Sequence, residues 1–266
     1  MSDLDESLEI PLNLKPSSIS REAESIYDFA WYPKMSYYDP GTFCFVSSSK
    51  DSPLHLWNGE TGKVSCTYSP INRLDEIHSP HSLTFSPDGS QLLTGFHSLL
   101  TVFPTQIPGR SGINIPTCSS KSSSKDGLSG LISHLSYSSC NPTTFASTTF
   151  EGKLGIWDDR TWSLTSTLNT HKSGLTQVSF SSDGFSLWTN WRSCDDIHFW
   201  DLRNLSHGPI QILTRNSNSR MRMKVTESWD STYITSGGID GEVSIWNRDT
   251  GAMAGTWQAH RGRVES

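Results

Sequence analysis

The sequence predicts an all-β protein whose sheets repeat around an axis, and three observations carry that expectation. An aromatic residue follows alternating apolar positions and precedes Asn or Asp at His55-Leu56-Trp57-Asn58, Ile156-Trp157-Asp158, Phe199-Trp200-Asp201 and Ile245-Trp246-Asn247, with Val102-Phe103 as a weaker copy. The five anchors, Trp57, Phe103, Trp157, Trp200 and Trp246, are separated by 46, 54, 43 and 46 residues. A period in the forties suits one four-stranded unit per repeat, the β-propeller arrangement. Ten Trp, eleven Phe and seven Tyr among 266 residues are too aromatic for a disordered chain and supply the rings to fill such sheets.

Each repeat shows the same order upstream of its anchor. A first strand such as Leu83-Thr84-Phe85 or Thr176 to Phe180 runs into Ser86-Pro87-Asp88-Gly89 or Ser181-Ser182-Asp183-Gly184. Pro pre-sets φ and Gly supplies positive φ, so these are hairpin turns. Second strands end in small residues, as in Ser47-Ser48-Ser49, Ala146-Ser147-Thr148 and Ser236-Gly237-Gly238, which would let neighbouring sheets approach closely. Asp51 and Asp240, each six residues before its Trp, are expected to hydrogen-bond within their turns, and His81 and His171 to join buried polar networks ahead of first strands. The reading is a WD-repeat β-propeller over 26–266, with five complete blades recognisable, ending near 57, 103, 157, 200 and 246, and partial strands at both ends. A sixth blade is expected to begin near Trp257. Leu8, Ile10, Leu12 and Leu14 alternate across 7–15 and predict an outer strand there, Pro11 being tolerable only at an edge.

Composition narrows the function. The net charge of −6 offers no general attraction to nucleic acid or an anionic membrane, so such binding needs a local patch. Six acids and two bases fall within residues 1–25, making this an acidic segment ahead of a nearly neutral body. That segment lacks the basic-then-apolar pattern of a secretory signal, and an intracellular protein is expected. The uncharged stretch 127–150 is rich in Ser and Thr and contains a Pro, so it is not read as a membrane span. Five Cys with no C-x-x-C pair predict reduced thiols, buried or half-buried. There is no G-x-x-x-x-G-K, G-x-G-x-x-G, H-E-x-x-H or G-x-S-x-G run. A non-enzymatic protein without cofactor, metal or small-molecule substrate is therefore expected. Asp75, Glu76, His78 and His81 form the one cluster resembling a metal site, and a solvated loop is the preferred reading.

Two places could meet single-stranded RNA, which is held by bases on phosphate and by aromatic faces on nucleobases. Arg215, Arg220, Arg222 and Lys224 form a basic run, readable equally as a solvated loop. Trp188, Trp191 and Arg192 form the second, although strand alternation sends at least one indole into the core. Trp200-Asp201-Leu202-Arg203 resembles the WD-x-R box that some WD-repeat proteins present to a cullin ligase adaptor, which would make Arg203 an adaptor contact.

A narrower resemblance rests on Tyr27-Asp28-Phe29-Ala30-Trp31-Tyr32, Leu74-Asp75-Glu76, Phe85 to Leu92 and Pro108-Gly109-Arg110, with Ser129-Gly130, His171, Asp183-Gly184 and Trp200 to Arg203 following in order. Over roughly residues 25–250 the chain resembles the telomerase Cajal body WD-repeat family, in the style of a fungal or other simple-eukaryote member. The resemblance implies a nuclear scaffold of the Cajal body, with a possible cytoplasmic pool. It would bind box H/ACA-type small Cajal body or small nuclear RNA, or telomerase RNA, together with the proteins of those particles, and would depend on the chaperonin for folding. The RNA contacts expected are Tyr27, Trp31, Arg73, Arg110, Arg192, Arg220 and Arg222. The alternative is a protein-only adaptor, either a splicing factor or a ligase substrate receptor.

Overall fold

The computed structural model describes residues 16, 18–72, 74–118, 127–170, 173–216 and 222–259. Five four-stranded antiparallel sheets, the blades of a propeller, follow one another along the chain. Blade one holds β1 (Ile26–Trp31), β2 (Cys44–Ser49), β3 (Leu54–Asn58) and β4 (Val64–Tyr68). Blade two holds β5 (Ser82–Phe85), β6 (Gln91–Gly95), β7 (Leu99–Pro104) and β8 (Ile113–Pro116). Blade three holds β9 (Ile132–Tyr137), β10 (Thr144–Thr149), β11 (Lys153–Asp158) and β12 (Ser163–Asn169). Blade four holds β13 (Leu175–Phe180), β14 (Ser186–Trp191), β15 (Asp196–Asp201) and β16 (Gln211–Thr214). Blade five holds β17 (Val225–Glu227), β18 (Tyr233–Gly237), β19 (Glu242–Asn247) and β20 (Met253–Gln258).

Strand alternation explains how one sequence repeat serves two neighbours. On β11, Leu154 and Ile156 point toward blade four and pack with Leu175, Val178, Leu187 and Trp200. Trp157 points the other way, into a cluster with Leu93, Leu100 and Val102 of blade two. Phe103 likewise faces Val46, Leu54 and Tyr68 of blade one, and Trp246 faces Trp188, Ile197 and Phe199 of blade four. Phe103, Trp157, Trp200 and Trp246 therefore fill the gap to the preceding blade, and in blades one to four the apolar pair before the anchor fills the gap to the next. Among the described residues no apolar cluster joins blade five to blade one.

The small residues of second strands do more than make room. Trp57 Nε1 donates to Ser47 Oγ at 2.7 Å, Trp157 Nε1 to Ser147 Oγ at 2.8 Å and Trp200 Nε1 to Thr189 Oγ1 at 2.7 Å. A buried indole N–H left unpaired would cost about 1–3 kcal/mol, so hydroxyl and ring form a unit.

Three expectations are corrected. Trp257 does not open a sixth blade: it lies in β20, paired with Val243 of β19, because every blade carries a fourth strand after its anchor. Cys140 is exposed rather than buried, its Sγ donating to Ser182 O at 3.1 Å from a turn. Asp240 accepts from Glu242 N at 3.3 Å and Asn216 Nδ2 at 3.2 Å. Asp51 instead takes φ 53° and aims an 81% exposed carboxylate at solvent, 3.8 Å from Lys50 Nζ. The expected strand over 7–15, and the chain after 259, lie outside the described residues.

Candidate nucleic-acid interface

The first strands line the axis, and side chains at their leading ends stitch each blade to another. Asp28 Oδ2 accepts from Leu83 N at 3.1 Å, joining blades one and two. Ser82 Oγ donates to Ile132 O at 3.1 Å, joining two and three. Gln177 both accepts from Val225 N at 2.6 Å and donates to Val225 O at 2.9 Å, joining four and five.

Arg222, just before β17, reaches furthest. Its guanidinium donates to Tyr27 O at 3.3 Å and to His81 O at 2.9 Å, and lies 5.8 Å from the centre of the Phe150 ring. One side chain thus touches blades one, two and three. Arg192, exposed on the turn after β14, lies 5.9 Å from the same Phe150 ring. Tyr27 stacks on His81 with centroids 4.3 Å apart. Lys224 places its ammonium 5.1 Å from the Phe29 ring.

Burial raises the Asp28 carboxyl above its ordinary range, with Arg222 opposing the shift. The Arg222 guanidinium is lowered by burial and supported by Asp28. His81 is lowered by burial, then by the charges of Arg222 and His78.

The structure gathers Tyr27, Arg192 and Arg222 at this axial end and separates other expected contacts from it. Trp31 sits at the opposite end of β1, packed with Phe43 and Phe45. Arg110 stands at the rim, exposed, 3.6 Å from Asp75. The basic run is not one patch: Arg215 is 6% exposed and lowered to about 10 by burial, its Nη1 donating to Met223 O and Ser236 Oγ. Arg73, Arg220 and His171 lie outside the described residues. Trp188 and Trp191 are both buried, each 2% exposed, because blade four is covered on both faces and opposite faces of β14 are equally apolar surroundings. Arg203 holds Asp201 through Nε at 2.9 Å and Nη2 at 2.7 Å, and spans the Phe185 ring at 5.3 Å.

The four residues that resemble a metal site in sequence diverge. Asp75 faces Arg110, Glu76 accepts from Asn72 Nδ2 at 3.0 Å, His78 stacks on Phe96 and His81 on Tyr27. Among the described residues no three ligating side chains come together. Sequence reasoning missed Asp28 and Phe150. An acid between apolar residues on an inner strand was the available signal for Asp28; Phe150 had none.

Radial four-stranded sheets with a tryptophan-anchored repeat make the chain a WD-repeat β-propeller protein. No family model matches it. It is homologous to telomerase Cajal body protein 1, with 35% identity over 230 residues to the Bos taurus protein, covering 86% of this chain and 41% of that one. The Homo sapiens protein is 34% identical over 232 residues, 86% of this chain and 40% of that one. The guanine nucleotide-binding protein negative regulator 1 of Schizosaccharomyces pombe is 28% identical over 262 residues, 93% of this chain and 64% of its own length. The chain therefore spans about two fifths of the telomerase Cajal body proteins it matches. A chain of the mitotic checkpoint complex crystal structure superposes with a TM-score of 0.63 at 22% identity, over 81% of this chain and 63% of that one, a likeness of fold alone.

Proposed function

We propose that the protein is a non-enzymatic scaffold that holds small nuclear or small Cajal body RNA at the axial end of its propeller and helps assemble or localise the particle in the nucleus. The supporting observation is the meeting of Arg192, Phe150, Arg222 and the Tyr27–His81 stack at one end. Cations for phosphate lie there beside ring faces for bases. Its relatives' names point to telomerase and the Cajal body. In this reading Arg222 braces the platform, since it is held by the main-chain carbonyls of Tyr27 and His81, and exposed Arg192 reaches the ligand.

Arg192→Ala tests the proposal without disturbing the axis. Anisotropy titrations with a small Cajal body H/ACA loop RNA should show about tenfold weaker binding, equivalent to about 1.4 kcal/mol. The slope of log K against log salt should flatten by about 0.7, the value for one lost phosphate contact on a single strand. An unchanged slope removes Arg192 from the interface, and no RNA recovered by crosslinking from cells removes the reading itself. A second reading, the protein-only adaptor, is favoured by Arg203, whose guanidinium is fixed on Asp201 yet 70% exposed. Recovery of a ligase adaptor that Arg203→Ala abolishes would support it.

A further inference from the structure

Blade one carries a second site, at the end of β1 away from the axial cluster. Trp31 pairs with Phe45 across β1 and β2, and Phe45 with Trp57 across β2 and β3, so three rings stand on one face of the sheet. Trp31 and Phe45 meet at 4.9 Å and 55°, and Trp31 and Phe43 at 5.5 Å and 40°. Phe45 and Trp57 lie nearly parallel, 15° apart with centroids at 6.3 Å, so the rings form one continuous aromatic wall. Gly59 forms part of this wall, and a Cβ there would come within 2.8 Å of Phe43 and 3.1 Å of Trp31.

The facing wall is the segment before β1. Ser18 Oγ donates to Gly59 O at 2.7 Å and Ser20 Oγ to Gly62 O at 3.4 Å, holding the segment across the sheet face. Glu22 follows, its side chain 4% exposed. Its carboxylate accepts from Ser47 Oγ, from Ser49 Oγ at 3.1 Å, and meets His55 Nδ1 at 2.9 Å. Between the two walls lies a cavity of about 260 Å³, bordered by Glu22, Trp31, Phe45 and Trp57.

Aromatic faces and a buried carboxylate favour a cation. None of the cation–ring contacts among the described residues uses these rings; they fall on Phe29, Phe150, Phe185 and Phe199. The hydrogen-bonding state of Glu22 then selects which cation. Ser47, Ser49 and His55 already occupy its oxygens, so little acceptor capacity remains for the three N–H donors of a primary ammonium. A quaternary ammonium has no donors to satisfy and needs only rings and a nearby negative charge. A second, separate cavity, about 280 Å³ and lined by Ser36, Tyr37, Pro40, Phe43 and Glu60, lies beyond the Trp31–Phe43 ring contact. Tyr37 and Tyr38 beside it are 95% and 94% exposed. Those exposed rings give a polypeptide bearing the cation a neighbouring surface to lie on.

We propose that the hollow between Trp31, Phe45, Trp57 and Glu22 binds the trimethylammonium head of a methylated lysine on a partner protein. Tryptophan fluorescence titrations test it with four probes: a short glycine-flanked trimethyl-lysine peptide, the same peptide unmethylated, choline and sodium chloride. The trimethylated peptide should saturate and bind at least tenfold more tightly than its unmethylated twin. Trp31→Ala should weaken it at least tenfold, and Glu22→Gln, which keeps an acceptor oxygen but removes the charge, should weaken it several-fold. Phe45→Leu, at a half-buried ring that borders the hollow, serves as a second ring variant should Trp31→Ala fail to fold. Equal binding of both peptides, a response matched by sodium chloride, or unchanged binding in a folded ring variant overturns the site. Choline binding more tightly than the peptide overturns the protein partner.

Discussion

His134 shows what burial at the axis does to a single side chain. It lies on β9 and its imidazole is lowered to about 3, first by burial and then by the charges of Arg222 and Lys224. Its Nδ1 has no hydrogen-bond partner. The folded protein therefore keeps it neutral where the unfolded chain, with an ordinary value of 6.5, binds a proton. Below 6.5 the unfolded state takes up more protons, so stability is present above that value and is lost as pH falls toward 3. The slope from this group approaches about 1.4 kcal/mol per pH unit, or roughly 2 kcal/mol between pH 6.5 and 5. Urea unfolding at several pH values measures it, and His134→Gln should flatten the slope whatever it does to absolute stability. An equal slope in both proteins would show that His134 is not the responsible group. His81, lowered in the same direction, adds to the wild-type dependence without replacing it.

At the level of strands and turns, close approach is the governing requirement. Gly95 ends β6, and a Cβ there would strike Ser82 Oγ and come within 2.6 Å of Ile132 Cγ2 of blade three. Ser82 is the residue whose hydroxyl ties those two blades together. Gly95→Ala should therefore separate them, costing about 1–3 kcal/mol as overpacking does. Gly255 on β20 has nothing within 4 Å of its Cβ position, so Gly255→Ala should be neutral or slightly stabilising. Denaturant midpoints for the two variants decide the matter; equal midpoints would refute the packing account.

This contrast also marks what was readable in advance. The anchors Trp57, Phe103, Trp157, Trp200 and Trp246 lie in β3, β7, β11, β15 and β19, because alternation and turn chemistry are local properties. The small ends of second strands were legible as sites of approach, but not as indole acceptors, since that depends on which hydroxyl meets which ring. Arg222 was legible as a base and not as a brace. Its partners, Tyr27 and His81, are 195 and 141 residues away, and no pattern along the chain encodes that proximity.

The whole molecule is held unequally around its axis. Four junctions between consecutive blades each close over an apolar cluster, where every 100 Å² removed from water contributes about 2.5 kcal/mol. Between blades five and one, among the described residues, Arg222 donates to Tyr27 O, Lys224 lies over Phe29, and both cations act on the Asp28 carboxyl. Val243 and Ile245, which occupy in β19 the places of Leu154 and Ile156 in β11, are only half-buried. Phe29 and Trp31 on blade one remain 42% and 44% exposed. Blade five is thus fixed mainly through blade four, by the Trp188–Trp246 cluster and by Arg248, which meets Asp183 and lies 3.2 Å from Glu227. Local opening follows the contacts that must be broken, so amides of β17–β20 should exchange with deuterium before those of β9–β12. Arg222→Met should speed exchange in β17–β20 and in β1 together while leaving β11 and β12 unchanged, because it removes one of the contacts between blades five and one and meets blade three only at Phe150, after β10. Uniform exchange across all five blades, or acceleration confined to blade three, would contradict this distribution of forces.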